Sequence, residues 1–73
     1  MEPAVAFGRA LRRLRQEKGL TQEQLGFEAD LRRTFISVLE LGQQQPTLTT
    51  IIKLARVFDV LPSELLQEAE KDF

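Results

Sequence analysis

The chain has 73 residues, 42% of them hydrophobic, enough for one small core, and it contains neither cysteine nor histidine. That excludes a disulfide framework, thiolate or imidazole metal ligation and catalysis by histidine. Net charge is −1, but residues 1–35 carry seven Lys/Arg against five Asp/Glu and residues 36–73 three against six, a balance suited to turning one face toward phosphates.

No segment alternates apolar and polar residues as a strand would, whereas helical spacing recurs along the whole chain. Phe7, Leu11 and Leu14 stand at i, i+4 and i+7, which predicts a first helix over about 4–18, with Pro3 near its start and Gly19 at its end. Thr21 and Gln24 have capping-box spacing, so a second helix is expected from Thr21 to about Ala29. Asp30 and Leu31 form a short turn before a third helix, about Arg32 to Leu41, stopped by Gly42. After the polar loop "QQQP", Thr47 caps a fourth helix with Leu48, Ile51, Leu54, Ala55 and Phe58 in one stripe. "DVLPSELL" turns into a fifth helix from about Pro62, with Leu65, Leu66 and Ala69 on one side. The fold class expected is all-α, a compact bundle of five helices in one domain spanning 1–73.

Charged residues divide this plan into faces. Arg15 follows Leu11 by four residues and Glu40 follows Ile36 by four, so both charges lean toward the core. A charge desolvated alone is costly, and mutual pairing of Arg15 with Glu40 removes that cost. The alternative is that both reach out to solvent.

Helices two and three, "TQEQLGFEADLRRTFISVLELG", have the spacing of a helix-turn-helix, in which the N-terminal residues of the second helix reach base edges in the DNA major groove. The ordered runs "LRRLRQEKGLTQEQL", "RTFISVLELG" and "PTLTTIIKLARVFDVLPSELL" together resemble the lambda-repressor-like helix-turn-helix family, the Cro/C1 or XRE type, over about residues 7–66. The resemblance implies a transcription regulator, usually a homodimer on a palindromic double-stranded DNA operator. It implies base reading by Arg33, Thr34, Ser37 and Val38. Arg33 could take guanine bidentately, Thr34 a base edge or a thymine methyl, and Val38 apolar contact only. It also implies phosphate contacts from Gln22, Arg32, Gln43 and Thr47, a brace from Gln22 to the third helix, and an Arg15–Glu40 bridge between helices one and three.

Four departures from the family pattern stand out, one being Leu41, just before Gly42, where a polar residue is usual. Asp30 occupies a turn position where glycine is common, and Arg32 the cap position where serine or threonine is usual, so a cap for helix three is expected from elsewhere. The loop "QQQ" lacks basic residues, which lowers the expected affinity and salt sensitivity.

An enzyme is not expected, because Ser37 and Ser63 have no histidine to activate them and no carboxylate cluster has metal-ligand spacing. No cofactor, metal or small-molecule ligand is expected. No apolar run approaches the roughly 20 residues that span a bilayer, and arginines interrupt any signal-peptide core, so a cytoplasmic protein without a membrane partner is expected. Ile52, Leu66 and Phe73 are left over after the core is assigned and are candidates for a dimer interface. The rival reading is a helix-turn-helix adaptor or antitoxin that works mainly through protein contacts.

Overall fold

The computed structural model describes residues 1–73 as five helices with no strand: α1 (Pro3–Glu17), α2 (Gln22–Ala29), α3 (Arg33–Glu40), α4 (Leu48–Val57) and α5 (Pro62–Glu70). Most boundaries have a local chemical cause. Pro3 opens α1, where its missing N–H costs nothing, and Gly19 turns the chain at φ +76° beyond its end. Thr21 builds the expected capping box: its hydroxyl accepts the Gln24 N–H at 3.1 Å, while its own N–H donates to Gln24 Oε1 at 2.9 Å.

Asp30 ends α2 in the left-handed region, φ 57° and ψ 48°, the conformation that the common glycine would supply. The Leu31 N–H then closes the turn on the Gly26 carbonyl at 2.8 Å. At the far end of α3, Gly42 at φ +71° lets the Gln43 N–H return to the Val38 carbonyl at 3.1 Å. Thr47 caps α4 by accepting the Thr50 N–H at 3.1 Å, and Glu64 reaches back to the Leu61 N–H at 2.8 Å at the head of α5.

Six large side chains are fully buried: Leu11 from α1, Leu25 from α2, Ile36 and Leu39 from α3, Leu54 from α4 and Leu65 from α5. Every helix therefore places at least one in the common core, each worth about 1.5–3 kcal/mol of burial. α1 packs on α3 and α5, α2 on α3 and α4, and α4 on α5. Helix α3 is thus held from two sides, by α1 and by α2.

Three expectations need correction. Leu48 is 71% exposed, because it is the first residue of α4 and its side chain, tilted toward the helix N-terminus, points past the edge of the core. Leu66 is 40% exposed, since it lies about 100° around α5 from the buried Leu65. No side chain caps α3: Arg32 holds the cap position without a capping bond, and nothing else supplies one.

Two glycines explain how closely α3 is gripped. A Cβ on Gly8 would collide with the main-chain carbonyl oxygens of Leu39 and Glu40, and one on Gly26 would lie 2.6 Å from the Leu31 carbonyl oxygen. Neither residue was singled out in the sequence. Glycine inside a helix carries a propensity penalty, and that was the signal available for a packing role.

Candidate nucleic-acid interface

The outward side of α3 forms one continuous arc. At roughly 100° per residue, Arg33, Ser37, Leu41, Thr34 and Val38 follow one another around it, opposite the buried Ile36 and Leu39. Arg33 and Thr34 are exposed, Ser37 and Val38 half-buried, and Leu41 62% exposed. The four residues expected to read bases therefore share one face, with Leu41 among them as an apolar member. Because no side chain caps α3, the main-chain N–H groups of Arg33 and Thr34 donate to no protein group and remain at the exposed end of the helix dipole.

Beside that helix end lies a polar groove of about 580 Å³, lined by Arg15, Thr21, Gln22, Glu23 and Arg33 and by no hydrophobic residue. It joins the N-termini of α2 and α3, where free N–H groups and the Arg33 guanidinium favour an anion and the Glu23 carboxylate opposes one. Gln22 stands on the rim between groove and core. Its amide Nε2 donates to Glu40 Oε1 at 3.1 Å, and Oε1 of Gln22 makes no protein hydrogen bond.

Arg15 and Glu40 pair as expected from their positions. Nε of Arg15 donates to Glu40 Oε2 at 2.6 Å and Nη2 to Oε1 at 3.0 Å, with side-chain exposures of only 12% and 4%. The remaining Nη1 donates to the Leu20 carbonyl at 2.9 Å. Hydrogen bonding to Glu40 is the main reason that the Arg15 guanidinium is held above the ordinary arginine range; burial pulls the other way, and the charge of Glu40 adds to the rise. No buried side-chain polar atom lacks a partner. One bidentate pair thereby ties α1, the α1–α2 turn, α2 and α3 together; the Gln22 link is the brace to α3 that the family resemblance implies, whereas no spacing points to the Leu20 link.

Other candidates are placed less uniformly. Arg32 is exposed just ahead of α3, and Gln43 is exposed just after it. Thr47 is also exposed, but its hydroxyl is already engaged, bonding to Thr50 Oγ1 at 3.0 Å as well as accepting the cap bond. Asp30 is 98% exposed and lies 3.9 Å from Lys53 Nζ. Leu66 and Phe73 meet across an apolar cleft of about 160 Å³ that Pro46 and Ile51 also line, whereas Ile52 is half-buried on α4 and does not line it. No group of three or more acidic, histidine or cysteine side chains is arranged to hold a metal ion. No helix is long and apolar enough to cross a membrane.

Comparison with known proteins agrees with this geometry. Residues 11–65 match the helix-turn-helix family. Control protein C.BamHI of Bacillus amyloliquefaciens is 41% identical over 61 residues, covering 82% of this chain and 75% of that protein. Among solved structures, the restriction-modification controller protein C.AhdI of Aeromonas hydrophila superposes with a TM-score of 0.81 at 45% identity, over 85% of this chain and 94% of that one. The biofilm master regulator SinR, solved in complex with DNA, gives a TM-score of 0.77 at 28% identity over 82% and 97%. The chain belongs to the helix-turn-helix family of Cro/C1 or XRE type, whose members are non-enzymatic, DNA-binding transcription regulators.

Proposed function

We propose that residues 1–73 act as one sequence-specific DNA-binding domain of a transcription regulator, a homodimer that sets α3 into the major groove at each half of a palindromic operator. The observation that carries this reading is the outward arc of α3, where Arg33, Thr34, Ser37 and Val38 stand together beside an uncapped helix N-terminus and a groove lined by polar and charged residues. Arg33 is the base-reading residue of greatest reach, with two donors for guanine O6 and N7. Gln22, Arg32, Gln43 and the head of α4 at Thr47 contact the flanking phosphates, which set register without reading sequence.

Similarity to C.BamHI and C.AhdI supports a controller-like role, and the DNA complex of SinR supports duplex DNA as the partner. In this role, protein concentration and dimerisation set occupancy. Leu66 and Phe73, across their shared apolar cleft, are the stronger dimer candidates, and Ile52 adds to them from α4. Recognition helices in such a dimer stand about 34 Å apart, one turn of B-DNA.

The rival reading, an adaptor or antitoxin working through protein contacts, draws on Phe27, 88% exposed on α2, and on Leu41. Anisotropy titration against random-sequence duplex at several salt concentrations separates the two. DNA binding gives an affinity that falls steeply as salt rises. Absence of binding at low salt, or binding indifferent to salt, would leave the adaptor.

A further inference from the structure

Four arginines lie on α1, and only two of them are spoken for. Arg13 donates to Asp72 Oδ2 at 3.0 Å and to the Glu68 carbonyl at 3.1 Å, anchoring the end of α5, and Arg15 is locked to Glu40 and Leu20. Arg9 and Arg12 are exposed and make neither an ion pair nor a side-chain hydrogen bond. Nothing on α1 compensates them: residues three and four positions away from Arg12 are Gly8, Arg9, Arg15 and Gln16. Like charges at helical i, i+3 spacing repel, so Arg12 sits between two cations that the fold alone would not favour.

Its position along α1 is informative. Val5 packs against Gly42 just past the end of α3, Gly8 abuts the carbonyls of Leu39 and Glu40, and Arg15 grips the Glu40 side chain. Arg12 is one helical turn after Gly8 and just short of a turn before Arg15, so it rises from the edge of α1 that faces α3. With α3 in the major groove, the helix alongside it meets the phosphate backbone bordering that groove.

We propose that Arg12, with Arg9 one turn behind it, is a further site for the DNA backbone, clamping a phosphate from the α1 side of the recognition helix. The proposal rests on the DNA-binding reading above. It assigns α1 a role beyond packing, since the paired Arg13 and Arg15 hold the fold while the unpaired Arg12 and Arg9 serve the ligand.

The test is the salt dependence of binding to a 30-base-pair random-sequence duplex, measured on the 73-residue chain and three variants. Arg12→Gln is expected to flatten the slope of log K against log salt by about 0.9 per protomer, the loss of one phosphate contact, and Arg12→Lys is expected to preserve it. Arg56→Gln, the same change in charge at an exposed arginine near the end of α4, is expected to leave the slope as in wild type. Melting temperature should be unmoved or slightly raised by Arg12→Gln, because the residue has no protein partner and its neutralisation relieves repulsion from Arg9 and Arg15. An Arg12→Gln slope equal to wild type, or a slope lowered as much by Arg56→Gln, overturns the proposal. So does a melting temperature lowered by Arg12→Gln, which would reveal a structural partner. Wild-type protein that fails to bind duplex overturns the DNA reading itself and this proposal with it, whereas binding that ignores Arg12 overturns only the latter.

Discussion

The side-chain amide of Gln22 donates to Glu40 Oε1 at 3.1 Å, onto the same oxygen that Arg15 Nη2 reaches at 3.0 Å. Gln22 stands at the head of α2, on the polar groove, and Glu40 closes the inner side of α3. The head of one helix is therefore bolted to the flank of the next through a buried carboxylate. Gln22→Ala is expected to weaken binding to operator and random duplex by the same factor, because a phosphate contact carries no sequence information. The salt slope should stay as it is, since a neutral amide releases no counterion. Comparing the two duplexes at two salt concentrations checks both statements, and a loss confined to operator would assign Gln22 to base reading.

Glu40→Ala leaves the Arg15 guanidinium with a single carbonyl partner in a nearly closed site, and should lower stability by about 3 kcal/mol. Urea denaturation of the single and double variants measures it, and Arg15→Met combined with Glu40→Leu should recover part of the loss. The pH dependence has a definite sign. A pKa raised on folding means that the contribution of Arg15 is present in full below the ordinary arginine range and is lost only at strongly alkaline pH. The difference in stability between wild type and the Arg15→Met/Glu40→Leu double variant, which removes both charges, should thus be flat from pH 6 to pH 9. A midpoint that shifts for one protein and not the other within that range would contradict it.

Gly8→Ala sets helix propensity against packing. Alanine is favoured over glycine in a helix by about 1 kcal/mol, yet its methyl would strike the carbonyl oxygens of Leu39 and Glu40. Backbone atoms cannot step aside as a flexible side chain would, so net destabilisation of about 1–3 kcal/mol is expected. Thermal melting decides the sign: an unchanged or higher melting temperature would mean that α1 and α3 are less tightly apposed.

Arg33→Ala should cost about 1–3 kcal/mol on the preferred site and relax base preference at one position of each half-site. Equal losses on preferred and scrambled duplex would reduce Arg33 to a phosphate contact. Because Arg33 is exposed, its removal should leave stability within about 0.5 kcal/mol of wild type.

Replacing both Leu66 and Phe73 by serine should shift the chain from dimer to monomer in sedimentation equilibrium while helicity is retained, since both side chains are partly exposed, Phe73 by 60%. Ile52→Ser is expected to act more weakly, because Ile52 lies outside their common cleft. Dimer retained by the Leu66/Phe73 double variant would move the interface to another face.

Local chemistry made most of the architecture readable in advance. Thr21, Thr47, Pro62 and Gly42 mark helix ends by mechanisms that act within a few residues, and each marks an end in the structure. Periodicity likewise exposed the Arg15–Glu40 pair, because two charges on apolar faces have few ways to be satisfied. What depends on how helices cross was harder to see. Leu48 has the right spacing for the core but lies beyond its edge, and Gly8 owes its role to carbonyls thirty residues away. The bond from Gln22 to Glu40 needs the angle between α2 and α3, which no residue interval encodes. Asp30 falls between these cases: its tolerance of positive φ was foreseeable, and its approach to Lys53 was not.

The central claim is that the outward arc of α3 reads sequence in the major groove. Selection of bound duplexes from a random-sequence pool, run in parallel with wild type and Arg33→Ala, tests it most directly. Wild type is expected to enrich an inverted repeat with half-sites centred about 10–10.5 base pairs apart, one turn of B-DNA. Arg33→Ala should enrich the same repeat with the base preference at one position per half-site lost. A wild-type pool with no enriched sequence, or one that is unchanged by Arg33→Ala, would contradict the claim.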